Sequence, residues 1–363
     1  MSSCVLFKDY DRLEYMVNLP LTCHAVLEQV RKELDIPDYV DTKCFLMERG
    51  LVTIWAGLNA HRFRDIYPNL VSEGFGKEPI PVLFFGGAAI RMFSPSSNDS
   101  SSPFYRELND IDLITSKKKA KDLCKLLLKL GEVCGTRYYH FVTRSDRRFN
   151  AMRGGKRYRV RTIDKILEDG TPVAGFLDIF TDSIDLRHKV DVRDVFKNPK
   201  KALYTISLEN TLLAKCQYIF DLPKSLLPMA SQEGLDYRII NYPYFRSDRI
   251  IMGMEEKDIK DVCALLNDHN IGEGEGEISP SRICRVLRKD KKFALTFRLN
   301  LQNIVEKQFI LRRMNITDKM ISKIIDKINA LLNEVPRVDK KWNNPWWNVD
   351  VDTPQIFGKT ARL

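Results

Sequence analysis

The chain has 363 residues, more than one ordinary core accommodates, so two or three domains are expected. Apolar residues make up 44% and charged residues 29%, a globular balance that excludes general disorder, and the apolar run Val82–Ile90 stops at Arg91, far short of the roughly 20 residues of a membrane span. The net charge of +10 favours polyanionic partners, and the charged opening MSSCVLFKDYDRLEY leaves no room for a secretory leader; a cytoplasmic protein with no membrane partner is expected.

In chain order, residues 1–75 read as a mostly helical cap. Within it, His24–Leu34 carries an apolar stripe that Pro37 ends, and Gly74, Gly76 and Pro79 punctuate the chain further on. Ile80–Phe85 (IPVLFF) predicts a buried strand, followed by Gly86-Gly87 and a helix over Ala88–Phe93. The Ser-rich stretch Ser94–Pro103 reads as an exposed insertion. Asp110–Thr115 predicts a strand, and Lys117–Leu130 a helix capped by Ser116 and ended by Gly131. Phe149–Val160 reads as a hairpin turning at Gly154-Gly155, and Gly175–Phe180 (GFLDIF) as a further strand. The pattern over residues 76–205 is therefore a mixed β-sheet with flanking helices, in an α+β chain.

Residues 206–335 read as a helical domain. Ser207–Phe220 opens with a capping serine and an apolar stripe, Asp258–Leu266 is a second helix, Gly272–Glu277 a linker, and Thr317–Val335 a helix with one apolar stripe. Residues 336–363 form a tail with three of the four tryptophans, Trp342, Trp346 and Trp347, which either stack on bases or clasp the tail onto its domain. The eight cysteines stand without any CxxC pair and the five histidines stand singly, so reduced thiols and no zinc site are expected.

Chemistry concentrates around Asp110-Ile111-Asp112. On a strand, residues i and i+2 face the same way, so both carboxylates share one side. Two such anions repel unless a cation lies between them, and hard oxygen ligands suit Mg²⁺. Gly86-Gly87, at the start of a helix, offers backbone N–H groups to a phosphate. Asp178 adds a third carboxylate on an apolar strand, where an unpaired one is costly to bury. A glycine pair is commonly only a tight turn, and an isolated DxD only a surface pair; their order on consecutive elements is what points to phosphoryl or nucleotidyl transfer. Between Arg144 and Lys165, nine basic residues face two acidic ones, which is either a solvated face or a polyanion surface.

The pattern FFGGAAI, RELNDIDL and FLDIF resembles the nucleotidyltransferase superfamily with its polymerase-beta-like fold. The helices SLENTLLAKC and EKDIKDVCALL are similar to those of AbiEii-type nucleotidyltransferases, the toxin halves of toxin–antitoxin systems; the likeness spans Val82–Leu266. The resemblance implies that Gly86 and Gly87 hold the triphosphate of an NTP such as ATP, and that Asp110 and Asp112, completed by Asp178, hold two Mg²⁺ ions. It implies nucleotide contacts at Arg106, Lys215, Lys257, Asp258 and Asp261. It also implies transfer of an NMP to RNA, tRNA included, or to a protein hydroxyl, with a cognate antitoxin protein as a partner. Two departures stand out: 22 residues separate Gly87 from Asp110, and Ala88-Ala89 replace the hydroxyl residue that often follows the glycines. A small-molecule nucleotidyltransferase of the aminoglycoside-modifying kind and a non-catalytic nucleic-acid-binding relative are the alternatives.

Overall fold

The computed structural model describes residues 24–60, 78–134, 140–197 and 204–349. The chain is α+β and forms two compact units. The first takes the described residues within Met1–Met92, Glu107–Ile184 and Asp191–Ser207, and the second those within Phe93–Arg106, Asp185–Val190 and Leu208–Leu363. The expectations for Gly74, Gly76, the N-terminal stretch before His24 and the tail beyond Val349 lie outside the described residues. Among the described residues no helix is long and apolar enough to cross a membrane.

The first unit contains helices α1 (His24–Leu34), α2 (Phe45–Leu58), α3 (Gly86–Phe93), α4 (Ala120–Cys134) and α5 (Arg144–Met152). Its strands are β1 (Val82–Phe85), β2 (Asp110–Thr115), β3 (His140–Phe141), β4 (Arg157–Ile166) and β5 (Pro172–Thr181). They are ordered β1-β2-β5-β4-β3. Only β2 and β5 run parallel among the five; the other neighbours are antiparallel. One sheet face is apolar: Phe84, Ile111, Leu113, Val160, Leu177 and Ile179 are all buried. Helix α2 lies on that face and is buried on nearly every side, which explains its almost uninterrupted apolar sequence. Gly50 is the contact point, because a Cβ there would run into the Phe84 ring. Helix α1 covers α2 from outside, and Glu33 accepts the Trp55 indole N–H at 2.7 Å.

Three local expectations give way. Helix α4 starts at Ala120, after a turn in which the Lys119 N–H donates to the Ser116 carbonyl, and it continues through Gly131 to Cys134. A glycine ends a helix only when the chain turns left-handed there, and a helix interior tolerates one at modest cost. The expected hairpin from Phe149 is instead the end of α5. Its start is secured by a capping box in which the Thr143 hydroxyl and the Asp146 side chain bond each other's backbone N–H groups. The Gly154-Gly155 turn, with both φ positive, then leads into β4.

The second unit contains α6 (Leu208–Lys215), α7 (Leu227–Gln232), α8 (Glu256–Asp268), α9 (Pro280–Leu287), α10 (Lys291–Glu306), α11 (Phe309–Arg313) and α12 (Asp318–Glu334). Helix α6 stops at Lys215, and the aromatic run after it enters a three-stranded sheet formed by Phe220–Pro223, Arg249–Met252 and Ile239–Ile240. Asn300 of α10 donates to the carbonyls of Cys216 and Tyr218, holding the chain where helix turns to strand. The Ser-rich stretch is not a plain exposed insertion. Ser94, Ser97 and Phe104 are buried, and Ser96 donates through both N–H and hydroxyl to Asp268 at the end of α8. Trp346 and Trp347 are buried with Ile219, Ile240, Phe245, Ile251 and Leu295, so the described part of the tail is clasped onto this unit.

Candidate metal centre

The site is built on the polar face of the first unit's sheet. The parallel register sets Asp112 opposite Asp178, and the antiparallel register on the other side sets Arg159 opposite Asp178. Side chains directly opposite in a ladder share a face, so Asp110, Asp112 and Asp178 converge. One oxygen from each lies within 4.8 Å of the others. The three differ in exposure: Asp110 is open to solvent, Asp112 is half-buried and Asp178 is buried. A donor set with one exposed and one buried side suits a hydrated divalent cation, and its all-oxygen chemistry fits Mg²⁺.

Gly86 lies against the Asp112 side chain, next to the end of β1. It follows the last residue of β1 at φ +63°, and a Cβ placed on it would stand 3.2 Å from Asp112 Cγ. A side chain is excluded there by both backbone and space, so the chain passes against the carboxylate as bare backbone. Gly87 follows in the first turn of α3, whose leading N–H groups have no partner within the helix.

Asp178 carries a further arrangement. Arg159 bonds it through two parallel contacts, Nε to Oδ1 and Nη2 to Oδ2, each 2.8 Å. Arg157 donates to the same Oδ2. The guanidinium groups also lie over aromatic rings: Arg157 over Phe149 and Phe180 at 5.4 and 4.8 Å, and Arg159 over Phe149 and Phe176 at 4.5 and 4.6 Å. Arg161, next on the same strand face, bonds Asp146 of α5 at 2.7 and 3.1 Å. Burial would push the Asp146 carboxyl up, but Arg161 and the Thr143 hydroxyl and N–H hold it below its ordinary value. In the sequence these arginines count only as part of a basic segment. The alternation Arg157-x-Arg159-x-Arg161 marks one strand face, but their carboxylate partners emerge only with the register.

The other expected site residues gather in the second unit. Arg106 donates to Asp261 through Nε and Nη2 at 2.9 and 2.8 Å. Lys215 bridges Asp258 at 3.1 Å and Asp261 at 2.7 Å. Burial alone would lower the Lys215 pKa, but Asp261 and Asp258 raise it above the ordinary lysine value. Burial likewise opposes the Asp261 carboxylate, yet Lys215 and Arg106 hold its pKa below normal. Asp258 and Asp261 are both buried on α8, as are the apolar Ile259, Val262, Cys263 and Leu266. Lys257 points elsewhere, half-exposed and paired with Glu255 at 3.2 Å.

Gly86, Gly87, Asp110, Asp112 and Asp178 thus come together in one unit, and Arg106, Lys215, Asp258 and Asp261 in the other. No protein-family model, curated protein or solved structure matches the chain.

Proposed function

We propose that the protein is a Mg²⁺-dependent nucleotidyltransferase that moves an NMP from an NTP to an acceptor hydroxyl, in the manner of the AbiEii-type toxins its motifs resemble. RNA, including tRNA, is the favoured acceptor class, with a protein hydroxyl as the other; a cognate antitoxin would be the protein partner. The reading is carried by one observation: three carboxylates from two strands converge beside a glycine whose backbone and surroundings exclude a side chain.

In this reading Asp110 and Asp112 hold the metal, and Asp178 completes the set. When bound, Mg²⁺ supplies positive charge to the attacking and leaving oxygens of an in-line displacement. The backbone N–H groups at Gly86 and Gly87 cradle the triphosphate. The nucleotide contacts that the motif resemblance implies at Arg106, Lys215, Lys257, Asp258 and Asp261 remain part of this proposal.

A second reading, a non-catalytic relative, has one observation in its favour: two guanidinium groups already neutralise Asp178. The test is incubation with alpha-phosphate-labelled NTPs, Mg²⁺ and total RNA. Label entering RNA with the native protein and not with Asp110→Ala supports RNA transfer. Label entering protein moves the acceptor to a polypeptide. Absence of both transfer and NTP binding selects the non-catalytic reading.

A further inference from the structure

We infer that Arg157 and Arg159 are a phosphate-binding pair that exchanges partners, holding Asp178 until metal takes the carboxylate and then moving to the triphosphate. The inference rests on the nucleotidyltransferase reading and adds to it two residues that the motif resemblance does not assign.

Charge sets the starting point. Asp178 is only 1% exposed, and a carboxylate buried so deeply is costly unless cations or hydrogen-bond donors compensate it. Two guanidinium groups supply that compensation. A divalent cation at the triad would compete with them: Oδ2 already accepts from both arginines, so a metal bond there takes a place that a guanidinium N–H holds. The released guanidinium groups would then stand beside a metal-bound polyphosphate, whose planar oxygen pairs they match as well as they match a carboxylate.

The surroundings favour movement over loss. The rings of Phe149, Phe176 and Phe180 support the guanidinium faces, and a ring face attracts a cation without fixing its in-plane orientation. Each arginine can therefore rotate its N–H fork from carboxylate to phosphate while keeping its aromatic contact. Arg161 also lies over Phe176, at 4.7 Å, but its fork is bonded to Asp146, which belongs to the α5 capping box and not to the carboxylate triad. It is a strut between α5 and β4 and provides an internal control.

The exchange makes metal and nucleotide help each other, because each frees a partner the other needs, and such coupling is reciprocal. The experiment measures Mn²⁺ binding by calorimetry and paramagnetic resonance, with and without a non-hydrolysable NTP analogue. In Arg157→Gln and Arg159→Gln, Mn²⁺ alone should bind about tenfold more tightly and the analogue about tenfold more weakly, with the mutual enhancement shrinking from the ~5–150-fold range of coupled sites. Arg161→Gln should lower the melting temperature and leave both affinities unchanged. Arg159→Lys keeps the charge and loses the fork; it should shift both affinities with the same signs, and it serves if the glutamine variants do not fold. Unchanged or weaker Mn²⁺ binding in folded variants overturns the exchange, while the nucleotidyltransferase reading stands so long as the native protein binds Mn²⁺ and analogue. A native protein that binds neither overturns both.

Discussion

The carboxylate of Asp112 rests against the backbone of Gly86, with Asp112 Cγ 3.2 Å from the place a Cβ would occupy. The contact joins the end of β1 to the middle of β2, and it makes the glycine a condition of the carboxylate's position. Gly86→Ala would set a side chain in a left-handed backbone conformation, costing roughly 1–2 kcal/mol, and would also push Asp112 aside. The expected outcome is a lower melting temperature together with a loss of Mn²⁺ binding. A variant that loses stability while keeping full Mn²⁺ affinity would show that the glycine serves the turn and not the site.

Asp112→Asn tests the triad from the other direction. The amide keeps the volume and removes one charge from a cluster of three carboxylates. The melting temperature should stay level or rise in the absence of metal. Mn²⁺ affinity should fall by more than the ~10–100-fold seen when only outer contacts of a metal site are lost. A large drop in stability would instead mark the carboxylate as a structural partner.

Most of this site is legible in the sequence alone, and the reasons are local. An apolar run marks β1, strand alternation puts Asp110 and Asp112 on one side, and a lone acid in FLDIF marks Asp178. The hidden part depends on pairing between distant segments. The parallel register that sets Asp112 beside Asp178 cannot be read from either strand alone. The same holds for Arg159, whose partner is fixed by the antiparallel register of β4 and β5. The burial of Asp261 is equally hidden, because its partner Arg106 lies 155 residues away in the chain. The serine-rich composition of residues 94–103 suggests solvent, yet Ser96 is an anchor for the end of α8. Composition reports average exposure and is silent about individual hydrogen bonds.

His188 should make the second unit sensitive to mild acid. Its ring stacks on Phe293 at 4.7 Å, and its Nε2 lies 2.8 Å from the Thr296 hydroxyl, which also accepts the Trp346 indole N–H. Burial, aided by Lys292 and Arg187 and opposed by Asp290, pushes its pKa down to about 4. The unfolded chain therefore takes up this proton near pH ~6.5 while the folded one does not, so stability falls as pH drops from there towards the folded value. The loss is on the order of 2–3 kcal/mol by that linkage. Melting followed by Trp fluorescence should show it between these limits, and His188→Gln should flatten the slope. An unchanged slope in that variant would assign the acid sensitivity elsewhere.

The Lys215 network is expected to behave as a unit. Lys215→Met leaves Asp258 and Asp261 buried without their shared cation, while Arg106 stays bonded to Asp261, and breaking a buried ion pair from one side costs about 3–5 kcal/mol. Adding Asp258→Asn should recover part of that loss, since one orphaned charge is then removed while Arg106 still serves Asp261. The pH dependence comes from the two shifts. The depressed Asp261 pKa gives stability that is present above about pH 4 and lost as pH falls through the folded value. The raised Lys215 pKa gives stability that is complete below about pH 10.4 and lost as pH rises through its folded value. Denaturant melts of the single and double variants measure the coupling directly. If Lys215 also touches nucleotide, the double variant should regain stability without regaining affinity for the NTP analogue, and recovery of both together would confine Lys215 to a structural role.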